Sequence, residues 1–98
     1  MTNSNIPNHL KSTISMIEKA FPHGIDEEQY FALLYSLYEY MSDENISIAV
    51  SIITGKNVAT VTNDIYKAVQ TSCHNINLAE TQILLEKSGF SEWVKEIE

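Results

Sequence analysis

The sequence predicts an all-α fold, a compact bundle of about five short helices closed by a C-terminal turn and partly orthogonal in its packing. Three observations predict it. Apolar residues recur at three- and four-residue spacing in successive segments. Capping residues stand in front of several of those segments. Only three Gly and two Pro occur in 98 residues, too few for the many tight turns of an all-β domain.

Residues 1–6 are mostly polar and are expected to fray, which leaves 7–98 as a single helical domain. Pro7 suits a first helical turn, where its missing N–H is no loss. Leu10, Ile14, Ile17 and Phe21 then keep helical spacing until Pro22 and Gly24 turn the chain. The second helix has the clearest start. Asp26 is a cap with Gln29 three residues on, and Glu27 and Glu28 oppose the positive end of the dipole. Tyr30, Leu34, Leu37 and Met41 make its stripe. Phe31 and Tyr38 widen it on one side, Leu33 and Tyr40 on the other, and only a strip of Glu28, Ala32, Tyr35 and Glu39 stays open.

Ser42 caps the third helix, with Asp43 and Glu44 in its first turn, Ile46, Ala49, Val50 and Ile53 on its buried face, and Gly55 as its stop. Residues 57–71 read as a fourth helix through Val58, Val61, Ile65 and Val69; the alternative is a loop over 55–61 with the helix starting at Thr62. Asn77 with Glu80 forms a cap pair that opens a fifth helix of Ile83, Leu84 and their neighbours, ending at Gly89. Phe90 folds back on that helix. Ser91 caps a last short turn in which Trp93, Val94 and Ile97 pack.

Composition narrows the function. Apolar residues are 44% and charged residues 19%, the balance of a globular chain. The formal charge is −7, from 13 acidic residues against six lysines and no arginine. Phosphate neutralisation needs a basic surface and guanine readout usually needs Arg, so nucleic acid is excluded as a partner. A helix-turn-helix reading of the short loops fails for the same reason. Acidity either steers basic partners or only keeps the chain soluble. Cys73 is the only cysteine, so no internal disulfide forms, which fits a reducing cytoplasm. The N-terminus has no signal-peptide pattern and no run approaches the ~18 apolar residues of a membrane span, so a cytoplasmic location without membrane contact is expected.

No catalytic pattern emerges. His9, His23 and His74 lie in three segments without metal-ligand spacing and read as solvated or capping side chains. Cys73 and His74 are adjacent, and neighbours on a helix do not face one another. There is no Gly-rich phosphate loop, zinc-protease motif, EF-hand loop or nucleophile elbow. The acid pairs Glu27 with Glu28 and Asp43 with Glu44 sit where first-turn acids are favoured for dipole reasons alone. No cofactor or metal is expected, and the chain reads as a non-enzyme.

The informative feature is regional. Asp26, Glu27, Glu28, Glu39, Asp43 and Glu44 fall within residues 26–44, a stretch with no Lys or Arg and with four of the five tyrosines. Tyr30 and Tyr38 are assigned to the core. Tyr35 falls beside Glu28 and Glu39 on the helical wheel, away from the leucine stripe. It is either an exposed anchor that the acids help to dock or a residue packed on helix one or four above a merely solvated face. The partner-binding set is therefore Asp26, Glu27, Glu28, Tyr35, Glu39, Asp43 and Glu44.

Residues 17–53, with FPHGIDEEQYFALLYSLYEYMSDENISIAV at their centre, resemble a mycobacterial-type family of small helical domains of unknown function. The shared features are the turn at Pro22 and Gly24, the core at Phe31, Ala32, Leu33 and Leu34, the acidic cap at Ser42, Asp43 and Glu44, and the ending Leu85, Gly89, Phe90. These are core and turn residues, and the resemblance implies a fold without implying chemistry. In size, acidity and helicity the chain also resembles bacterial immunity proteins of colicin and contact-dependent growth inhibition systems. That likeness implies a non-catalytic immunity protein, a toxin inhibitor that neutralises a basic, nuclease-type toxin domain through its acidic surface. The alternative is a helical adaptor or regulatory module without a toxin partner, including a homodimeric one, with Ile48, Ile52 and Ile76 as candidates for an apolar contact patch.

Overall fold

Pro7, at φ −61°, leads into a single 3-10 turn, Asn8–Leu10, and then into α1, Lys11–Ala20. The computed structural model describes residues 7–70 and 75–97, with 75–77 and 97 described by their backbone alone. The expected fraying of 1–6, the thiol of Cys73 with its neighbour His74, and the side chains of Ile76, Asn77 and Ile97 lie outside the described residues.

The second helix, α2, runs Glu27–Tyr38 and carries the expected capping box. Asp26 Oδ1 accepts from the Gln29 N–H at 2.8 Å, and the Asp26 N–H donates back to Gln29 Oε1 at 3.1 Å. Ser42 caps α3, Asp43–Thr54, its Oγ accepting from the Asn45 N–H at 3.2 Å. Gly55 ends α3 at φ 78°, a left-handed conformation that a side chain would strain. The loop 55–57 then leads into α4, Val58–Gln70, and Asn57 Oδ1 caps it by accepting from the Ala59 N–H at 3.1 Å. Two further helices follow, α5 over Asn75–Lys87 and α6 over Phe90–Ile97. The described residues contain no strand. The fold is all-α, as expected, but the C-terminal turn is a two-turn helix, the sixth α-helix among the described residues.

α2 packs mainly on α5 and α4; α3 packs on α4, and α1 meets α3, α5 and α6. The main core gathers Ile17, Leu33, Leu34, Leu37, Ile46, Ile65 and Leu85, with Trp93 as its large C-terminal member. Leu10, Ile14 and Ala49 form a smaller cluster, which shares Met41 and Ile53 with the main core. The radius of gyration, 12.3 Å, is that of a close-packed chain of this length.

Three buried or half-buried polar contacts tie helices together. The Tyr30 hydroxyl donates to Asp64 Oδ2 at 2.6 Å, joining α2 to α4. Ser47 and Thr62 hydroxyls meet at 2.7 Å between α3 and α4. Trp93 Nε1 donates to Thr13 Oγ1 at 2.8 Å, which fastens α6 to α1. Thr81, by contrast, is fully buried with no partner for its Oγ1. The same substitution should therefore act with opposite sign at the two threonines. Thr13→Val strands the buried indole N–H and is expected to cost about 1–3 kcal/mol. Thr81→Val removes an unpaired hydroxyl at nearly constant volume and is expected to gain up to about 1 kcal/mol. Urea denaturation of both variants checks this; shifts of the same sign would refute it.

Several expectations need correcting. α5 already runs from Asn75, so Asn77 and Glu80 lie inside it and do not cap it; an interior Asn costs only a few tenths of a kcal/mol and does not stop a helix. On α5, Thr81 and Leu85 are buried, Leu84 is half-buried and Ile83 is 54% exposed. Ser91 lies within α6, and its hydroxyl donates to Glu86 Oε1 at 2.8 Å. Val58 opens α4 on the exposed side, while Val61, Ile65 and Ala68 are buried. Tyr38, assigned to the core, is 46% exposed, and Ala32, assigned to the open strip, is fully buried.

Candidate protein-binding surface

The reason for the last two corrections defines the site. At about 100° per residue, Glu27, Glu28, Phe31, Tyr35, Tyr38 and Glu39 share roughly 120° of α2's circumference. All are exposed except Phe31, which is half-buried. Around the rest of the circumference Leu33, Leu37 and Tyr30 are buried, and so is Leu34 at the edge of the open face. Ala32 and Ser36 follow Glu39 around the wheel and both are buried, Ser36 beside the α5 residues Ala79 and Gln82. The open face of α2 is thus rotated from the expected strip. It keeps Glu28, Tyr35 and Glu39, loses Ala32 to the interior, and gains Tyr38 and the half-buried Phe31. A rigid ridge of aromatic rings between carboxylates results.

One flank of the ridge drops into a cleft of about 520 Å³ between α2 and the α5–α6 end. Tyr35, Ser36, Glu39 and Tyr40 form one wall; Ala79, Gln82, Ile83, Leu85, Glu86 and Phe90 form the other. Tyr40 stands edge-on to Phe90 at 5.5 Å between centroids and to Trp93 at 6.3 Å, which holds this wall to the core. The lining residues include two carboxylates, Glu39 and Glu86, and no lysine. Ile83, Glu86 and Phe90 were not expected in a site. The apolar side chains of α5 at Leu78, Ile83, Leu84 and Leu85 are spread around the helix, so periodicity shows no outward face there.

On the other flank Tyr66, 44% exposed, donates its hydroxyl to Asp43 Oδ2 at 2.8 Å. The Asp43 carboxylate, by this hydrogen bond and then by its charge, raises the Tyr66 phenol above its ordinary value. Asp43 is half-buried and Glu44 exposed at the start of α3. Asp26 and Glu27 border a separate hollow of about 300 Å³ with Tyr30 and Lys56. There Lys56 Nζ sits 4.8 Å from the centre of the Tyr30 ring. The seven expected residues therefore divide. Glu28, Tyr35 and Glu39 lie along the ridge with Glu27 at its N-terminal end; Asp26 is spent on the capping box; Asp43 and Glu44 stand at the α3 end.

Tyr30 illustrates how the ridge is anchored from behind. Burial, the hydrogen bond to Asp64, and the charges of Asp64 and Glu27 all raise its pKa well above the ordinary value of about 10. The unfolded chain loses this proton above pH 10 while the folded chain keeps it. The stabilisation is thus fully present below about pH 10 and is lost above it, at up to about 1.4 kcal/mol per pH unit. Urea melts between pH 9 and 11, roughly the window set by that pKa, should show a steeper decline for the natural chain than for Tyr30→Phe; equal slopes would contradict the assignment.

Among the described residues no group of three or more His, Cys, Asp or Glu side chains is placed to hold a metal ion. None of the described helices is long and apolar enough to cross a membrane. Comparison with protein families, curated proteins and solved structures finds no match to this chain.

Proposed function

We propose that this chain is a non-catalytic binding domain that docks a basic protein onto the α2 ridge, and that the partner is a nuclease-type toxin domain it neutralises, as an immunity protein does. The observation that carries the reading is the pairing of exposed Tyr35 and Tyr38 with Glu28 and Glu39 on one helix face. Tyrosine supplies rigid contact area at small entropic cost, and the carboxylates steer a positive surface toward it. A nuclease cleft is positive because it holds phosphates, so carboxylates on a helix can occupy the place of substrate. The net charge of −7 supports the same direction of steering.

The test begins with the neighbouring gene: if it encodes a nuclease-type toxin domain, that domain is titrated with this chain. Stoichiometric loss of nuclease activity is expected, with association slowing as salt rises. Glu28→Lys combined with Glu39→Lys should slow association by about tenfold or more. A salt-independent affinity that survives the double reversal, or a neighbouring gene that encodes no toxin, would sink the proposal. An adaptor role is favoured by Ile83, 54% exposed beside the ridge; a concentration-dependent dimer in sedimentation, abolished by Ile83→Ser, would replace the toxin reading.

A further inference from the structure

We infer that the cleft between α2 and the α5–α6 end is a pocket for an arginine side chain of the partner, an inference that rests on the binding role proposed above. The cleft has the two features a guanidinium needs. Its walls are apolar and aromatic, built from Tyr35, Tyr40, Ile83 and Phe90, with Tyr35 and Tyr40 each 38% exposed. A planar guanidinium stacks on such rings while its methylene stem covers the aliphatic wall. Its polar lining includes the carboxylates of Glu39 and Glu86. The Ser91 hydroxyl donates to Glu86 Oε1 at 2.8 Å, which orients this carboxylate and leaves acceptor capacity for a second donor. Charge complementarity selects a cation, because no lysine of this chain is among the lining residues.

Arginine fits better than lysine. It is more weakly hydrated, stacks on rings, and forks its donors toward carboxylates, whereas an ammonium is a compact, strongly hydrated point charge. A volume of about 520 Å³ admits one such side chain with room for its backbone at the mouth.

The experiment is a titration of the isotope-labelled chain with capped hexa-arginine and, separately, capped hexalysine, followed residue by residue by NMR. Saturable shifts at Tyr35, Ile83 and Phe90 are expected, with hexa-arginine binding at least about fivefold more tightly than hexalysine. Glu39→Gln with Glu86→Gln, both exposed and outside the core, should erase that preference. Equal binding of the two peptides, or shifts spread along the ridge and absent from the cleft, would overturn the arginine pocket and leave the acidic docking surface standing. No binding of either peptide at low salt would remove both.

Discussion

Ala32→Asp is expected to destabilise the domain by about 3–5 kcal/mol, because Ala32 is fully buried and a carboxylate at that position is taken out of water. The native state of a domain this size has only about 5–15 kcal/mol to lose, so the variant should be largely unfolded at modest urea concentrations. Tyr38→Gln, six positions along the same helix, should change stability by no more than about 1 kcal/mol, since nearly half of that side chain is in water. Denaturation of the two variants under one set of conditions decides the orientation of α2. The reverse outcome, a tolerant Ala32 and a critical Tyr38, would mean that the helix faces the other way and that the ridge does not exist as described.

The second large effect belongs to binding. Tyr35→Ala is expected to weaken the complex with a basic partner by about 2 kcal/mol or more, which is roughly thirtyfold in Kd. Most of that loss should appear as faster dissociation, because an aromatic anchor holds the complex after encounter while charges govern the encounter itself. Glu44→Gln, an exposed acid at the other end of the stretch, should alter affinity by a few tenths of a kcal/mol. Surface plasmon resonance on the three proteins separates these contributions. A Tyr35→Ala variant with unchanged dissociation would place the anchor elsewhere.

Elements whose signals are local were legible in the chain. Asp26 with Gln29, Ser42 with its first-turn acids, and Gly55 as a stop all involve groups within a few residues of one another, and each appears where the sequence places it. The start of α4 was only half legible: the sequence allows a helix from 57 or one from Thr62, and the Asn57 cap, accepting from the Ala59 N–H, fixes the earlier start. The start of α5 was not legible, since a good cap pair at Asn77 and Glu80 does not prevent the helix from beginning earlier.

The candidate site divides in the same way. Tyr35, Glu28 and Glu39 were singled out from their position on a helical wheel, and they share the open face of α2. Tyr38 and Ala32 were assigned to the wrong sides because hydrophobicity cannot rank a tyrosine against an alanine: the ring is amphipathic, and the small side chain is buried only when another helix comes close. Ile83, Glu86 and Phe90 come from elements more than forty residues away in sequence, and no pattern within α2 refers to them.

By itself, then, the chain determined its helical class, most of its helix ends, and the concentration of negative charge and tyrosine between residues 26 and 44, because caps, periodicity and composition act over one or two turns. Which side of α2 meets water, and that a cleft opens beside it, was decided only when α4 and α5 packed against it. Burial is a property of the neighbours a helix acquires, and those neighbours are distant in sequence.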